Sequence, residues 1–118
     1  MQFELEFYET ETGEKPVEAF LLSLDIKMRA KMTRMMELLE EKGTELRRPY
    51  TAPLDDGIFE LRCQQTGNIT RALFFFYLQG KIIVTNGFTK KTPKTPPREI
   101  SLAKKRRKDY IRQQGGKR

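Results

Sequence analysis

The chain is predicted to adopt an α+β fold. A small twisted antiparallel sheet carries a helical pair on one face, followed by a basic C-terminal helix, in the order β-α-α-β-β-β-α. Three observations predict this. Apolar residues alternate at Phe3, Leu5 and Phe7 and again at Phe59, Leu61 and Cys63, the period of half-buried strands. Between these runs Val17, Phe20, Leu21 and Leu24 recur at helical spacing. Arg71 to Leu78 is almost continuously apolar, which marks a central strand covered on both faces.

The elements follow in order. Phe3–Phe7 is a strand with Glu4 and Glu6 on its wet face, and Glu9–Lys15 turns at Gly13. Pro16 suits the first position of a helix, because its missing N–H has no partner there anyway. Asp25 caps a second helix, on which Met28, Met32, Met35, Met36 and Leu39 share a face, and Gly43 stops it. Four methionines on one stripe are read as core filler. Thr44–Asp56, with Pro49, Pro53 and the Asp55-Asp56-Gly57 turn, reads as a loop. Gln65–Asn68, containing Gly67, reads as a hairpin loop. Gln79-Gly80 turns the chain back, and Lys81–Phe88 pairs with the central strand through Ile82, Ile83 and Val84. Thr95 is expected to cap a last helix with Pro96 in its first turn. Ile100, Ala103, Tyr110 and Ile111 line one side of that helix. Residues 1–112 form one domain, and 113–118 are expected to fray as a basic tail.

Composition bounds the function. The 118 residues contain one cysteine and no histidine, which excludes an internal disulfide, a zinc cluster and any catalysis that relies on histidine. No phosphate-binding or dinucleotide fingerprint occurs, and no cofactor or metal is expected. Asp55, Asp56 and Glu60 offer carboxylates for one magnesium, but a turn and a sheet surface explain them more simply. No apolar run approaches membrane-spanning length and the start is acidic, so a cytoplasmic protein with no membrane partner is expected. Charge is strongly divided. Residues 1–61 hold 8 Lys+Arg against 14 Asp+Glu, whereas residues 62–118 hold 15 against 2. Such a basic half suits a polyanion, with nucleic acid as the first candidate.

The cations gather in three segments. Arg62 and Arg71 lie on adjacent strands, near the same end. Beyond Phe88 comes Thr89-Lys90-Lys91-Thr92-Pro93-Lys94-Thr95-Pro96-Pro97, whose prolines stiffen the backbone. A stiff loop carrying clustered ammonium groups has fewer rotamers to freeze when it binds phosphate. Five cations, Arg62, Arg71, Lys90, Lys91 and Lys94, thus converge on one sheet surface, with the basic helix beyond. Arg98, Lys104, Lys105 and Tyr110 of that helix are further candidates for RNA contact, Tyr110 by stacking on a base.

Three stretches carry a resemblance. Leu54-Asp-Asp-Gly-Ile-Phe-Glu-Leu-Arg62, then Thr70-Arg-Ala-Leu-Phe-Phe-Phe76, then Asn86-Gly-Phe-Thr-Lys-Lys-Thr-Pro-Lys-Thr-Pro96 resemble the HigB branch of the RelE/ParE toxin superfamily, also called phage Gp49-like proteins. The resemblance runs from the first strand to Tyr110 and implies a RelE-like fold. It implies the toxin of a type II toxin–antitoxin pair, a messenger-RNA endoribonuclease acting in the ribosomal A site and restrained by a helix-turn-helix antitoxin. It also implies that Arg62, Arg71, Lys90 and Lys91 are catalytic, without a metal. Lysines used by some relatives within the second strand are replaced here by Phe59 and Glu60, and histidines used by others are absent. Glu60 is then a candidate base. The superfamily also contains gyrase poisons, so a gyrase-directed toxin and a non-enzymatic nucleic-acid-binding module stand as alternatives.

Overall fold

The computed structural model describes residues 2–116. Its strands are β1 (Glu4–Phe7), β2 (Thr51–Asp55), β3 (Ile58–Gln65), β4 (Asn68–Tyr77) and β5 (Lys81–Lys90). Its helices are α1 (Pro16–Ser23), α2 (Ile26–Lys42) and α3 (Pro97–Gly115). The strands form one sheet in the order β1-β5-β4-β3-β2, with β4 central as its unbroken apolar run requires.

The local signals act as their chemistry dictates. Asp25 accepts a hydrogen bond from the Met28 amide and starts α2, and Gly43, at φ 57°, ends it. Asp56-Gly57 and Thr66-Gly67 take positive φ at the tips of the β2–β3 and β3–β4 hairpins. Met28, Met32 and Met36 are buried with Leu39, which makes the methionine stripe core.

Two features differ from the antiparallel four-stranded sheet expected. The segment read as a loop contains β2, an edge strand antiparallel to β3. Pro53 misled that reading; an edge strand tolerates proline because one row of its N–H groups needs no ladder partner. β1 pairs parallel with β5, so the sheet is mixed. Alternation reports which residues share a face but says nothing of strand direction. The whole of the intervening chain supplies the long connection that parallel pairing needs.

Helices cover both faces. α1 and α2 pack Val17, Leu21, Met32 and Leu39 onto Leu61, Ala72, Phe74, Ile82 and Val84. α3 packs Ala103 and Tyr110 onto the opposite set, Ile58, Leu73, Phe75, Ile83 and Phe88, together with Tyr8. Gly87 has a packing reason for lacking a side chain: a Cβ there would lie 2.5 Å from the Phe20 ring of α1. α3 begins at Pro97 with Pro96 as its cap residue, so Thr95 is not the cap expected. Ile111 is 46% exposed and lies outside the apolar side of α3. The helix continues through residues 113–115, part of the tail expected to fray; Lys117 and Arg118 lie outside the described residues.

Candidate nucleic-acid interface

The β3–β4 register sets Arg62 directly opposite Arg71, and the β4–β5 register sets Arg71 opposite Phe88 and Ile69 opposite Lys90. Strand alternation then puts Glu60, Arg62, Arg71, Phe88 and Lys90 on the α3 face, at the end of the sheet that α3 leaves uncovered. β5 extends to Lys90, so that lysine belongs to a strand, and residues 91–96 return across this end toward α3.

Buried groups hold the returning loop. Arg71 is 0% exposed. Its Nη2 donates to the Thr92 carbonyl, and its guanidinium lies 5.4 Å from the centre of the Phe88 ring. Arg71 Nε is 3.6 Å from Glu60 Oε1, and Arg62 Nε is 3.6 Å from Glu60 Oε2, so one carboxylate serves two guanidiniums. The Thr95 hydroxyl donates to Glu60 Oε1. Arg71 Nε and Nη1 have no hydrogen-bond partner among the described residues. Their cost is offset electrostatically, by the Glu60 charge and by the π face of Phe88. Burial pushes the Arg71 guanidinium below its ordinary range, against the pull of Glu60.

This corrects the expectation that Arg71 meets substrate directly: the loop it fastens lies over it. Glu60 is likewise engaged by two guanidiniums and a hydroxyl, an arrangement suited to holding a loop. Thr92 and Thr95, read only as loop and cap, are the ligands of this clamp. Their signal was thin, two threonines among lysines and prolines. Just behind the clamp, Asn86 Nδ2 donates to the Glu99 carbonyl and carboxylate at 3.2 and 3.0 Å, tying β5 to the first turn of α3.

The remaining predicted cations divide. Lys91, Lys94 and Arg98 are exposed and Lys90 is half-buried. Lys90, Lys91 and Lys94 have no ion-pair partner among the described residues, and Arg98 only a distant one in Glu99 at 4.0 Å. Arg62 keeps 26% of its side chain exposed. These five outline one cationic sheet end.

Lys104, by contrast, is paired with Asp55. Lys105 is exposed but lines a groove with Tyr8, Thr10 and Asp109, away from Arg62. Tyr110 is 6% exposed, packs edge-on against Phe75 and Tyr77, and donates its hydroxyl to Glu6. It has no free face for a base, so the stacking role is corrected as well. Burial, then the Glu6 hydrogen bond, raises its pKa.

A cavity of about 530 Å³ opens on the other face of the sheet, between Phe59, Phe74, Phe76, Leu46, Arg47 and Arg48. It shares no residue with the cationic end.

Fold and site together define a small α+β protein built to present a clamped basic loop at one end of a mixed sheet. Residues 19–108 match the family described as phage derived protein Gp49-like (DUF891), and the chain belongs to that family. No curated protein matches its sequence. No helix is long and apolar enough to cross a membrane among the described residues.

Proposed function

We propose that this protein is the toxin of a type II toxin–antitoxin pair and cleaves messenger RNA on the ribosome. One observation carries the reading: Lys90 at the end of β5 and Lys91 and Lys94 on the buried-anchored loop that follows, without carboxylate partners among the described residues, share one end of the sheet with Arg62. Membership of the Gp49-like family and the sequence resemblance to HigB-type toxins support it.

In the proposed reaction the substrate's 2′-hydroxyl gives its proton to solvent water as its oxygen attacks the adjacent phosphorus, while the bond to the 5′-oxygen breaks. The products are a 2′,3′-cyclic phosphate and a 5′-hydroxyl. Arg62 and the neighbouring lysines stabilise the charge that develops on the phosphorane oxygens, and a lysine ammonium supplies the proton taken up by the leaving oxygen. Arg71 and Glu60 act through the loop as positioning residues. With no histidine to serve as base, much of the acceleration comes from alignment of the reacting atoms, which a ribosome holding the message supplies. The antitoxin restrains the toxin by presenting acidic groups to the same cations.

Induction of the chain in cells, with mapping of message 5′ ends, tests the reading. New ends within translated codons, paired with 2′,3′-cyclic phosphates, are expected. Arg62→Ala is expected to cut their yield by about 10²–10³-fold, the effect of losing one transition-state donor. Intact messages with DNA cleavage complexes would instead identify a gyrase poison, and intact messages without them a binding module.

A further inference from the structure

Four tyrosines occur in the chain, and three have their rings or hydroxyls engaged. Tyr8 donates to Asp109, Tyr110 donates to Glu6, and Tyr77 packs on Phe75 and Tyr110. Tyr50 differs. It is 46% exposed, and its ring makes no aromatic pair and its hydroxyl no hydrogen bond among the described residues. Its backbone is nonetheless held firmly, the N–H donating to the Arg47 carbonyl at 3.0 Å and the carbonyl accepting from the Arg62 N–H at 2.9 Å. The residue thus presents an idle aromatic face on a fixed support, next to the arginine of the cationic end.

A notch of about 340 Å³ opens beside it, at the low end of the size of small-ligand sites. β3 outruns β2 here, because β2 begins at Thr51, opposite Leu61, and beyond the Arg62 N–H bond to Tyr50 residues 63–65 have no β2 partner on that edge. Met35 and Ile69 contribute apolar surface to its lining, and Lys31 and Arg62 contribute positive charge. Lys31 Nζ donates to the Gln64 carbonyl, which holds it at the mouth. Arg47 and Arg48, both exposed, precede Tyr50 in the chain.

We infer that this notch is a nucleobase subsite of a single-stranded RNA, with Tyr50 stacking on one base while Arg62 holds the phosphate beside it. An exposed aromatic among cations, without a carboxylate on the walls, is the pattern by which single strands are gripped independently of sequence. The inference rests on the polyanion reading above and extends it. Arg62 belongs to both sites, so the stacked nucleotide neighbours the phosphate under attack, and Tyr50 sets the register of the message.

The protein contains no tryptophan, so Tyr50→Trp creates a single fluorescent reporter. Binding is followed independently by the anisotropy of a labelled RNA oligonucleotide. An ordinary oligonucleotide is expected to quench the tryptophan. An abasic oligonucleotide of equal length, and inorganic polyphosphate, are expected to bind by charge without quenching it. Tyr50→Ala is expected to weaken binding of the ordinary oligonucleotide about 5- to 150-fold, and that of the abasic one not at all. Tyr50→Phe, which keeps the π face, binds as the unaltered chain does. RNA binding without quenching, or equal quenching by polyphosphate, overturns the stacking site and leaves the polyanion reading intact. If only an acidic peptide quenches, the notch is a protein-docking site and the inference falls. Absence of any RNA binding overturns both readings.

Discussion

α3 and the loop that precedes it carry similar charge for opposite ends. Along α3, Lys104 meets Asp55, Arg107 meets Asp56, and Arg112 meets Glu11 and Asp109. Arg106 donates to the Thr85 carbonyl and lies over the Tyr8 ring. Lys104, Arg107 and Arg112 thus fasten the helix to the acidic first half of the chain. At the end of β5 and in the loop, Lys90, Lys91 and Lys94 meet no acid among the described residues. The division of charge along the sequence therefore has two parts: one matches one half of the protein to the other, and one has no acidic counterpart among the described residues. Net charge alone does not separate them.

The strongest test of that contrast lies beneath the loop. Arg71→Met leaves Glu60 buried with one guanidinium fewer and cuts the tether to Thr92. Such a change is expected to cost about 3–5 kcal/mol of stability, read from urea unfolding. Adding Glu60→Gln to Arg71→Met is expected to return part of the loss, because the uncompensated carboxylate goes too. An Arg71→Met protein as stable as the parent would show that the clamp contributes nothing.

A middle-sized effect separates the two cation sets directly. Replacing Lys90, Lys91 and Lys94 with alanine together is expected to make the log–log salt dependence of single-stranded RNA binding shallower by about 2, at roughly 0.7 per lost phosphate contact. Stability should move by no more than about 0.5 kcal/mol per site, because these side chains make no ion pair among the described residues. Lys104→Ala with Arg107→Ala should do the reverse, lowering the melting temperature while the salt slope stays put. Equal slope changes from both sets would erase the distinction.

The smallest effect is expected at the far end of α3. Hydrogen bonds from Tyr8, then Arg112 and Gln113, hold the Asp109 carboxyl down to about 2 from an ordinary 3.8. A depressed acid stabilises the fold above its unfolded pKa, so this contribution is present above about pH 4 and fades between pH 4 and 2. Burial, then the Asp109 hydrogen bond, pushes the Tyr8 phenol up to about 12 from 10.0. That contribution is present below pH 10 and is lost as pH climbs toward 12. Asp109→Asn should flatten the acid limb of the urea midpoint against pH, and Tyr8→Phe the alkaline limb. Unchanged limbs would mean that the helix end is held by packing alone.

Much of the architecture was legible residue by residue. Asp25, Gly43, Asp56-Gly57 and Thr66-Gly67 each act within a few residues of themselves, and so does the methionine stripe, whose period alone selects the buried face. β2 was hidden because Pro53 argues for a loop unless the strand is known to lie at an edge, which is a property of the whole sheet. The direction of β1 was hidden for the same kind of reason.

The candidate site was legible by charge and opaque by exposure. Arg62 and the loop lysines could be placed together from strand order alone. Arg71, between Thr70 and Ala72, looks like any surface arginine; it is buried because Glu60 and Thr92 arrive from other segments to receive it. Tyr110 and Tyr50 exchange the roles their settings suggest. The tyrosine on the basic helix is sealed against Phe75 and Tyr77, and the one in the proline-flanked segment stands open. Periodicity and turn chemistry are local, so the sequence by itself determined the helices, most strands, their faces and the pooling of charge in the second half. Burial of a polar side chain depends on which distant element docks over it. Only the tertiary structure, by laying the 91–96 loop and α3 across one face, decided which cations are rivets, which lack an acidic partner among the described residues, and which aromatic ring stays exposed.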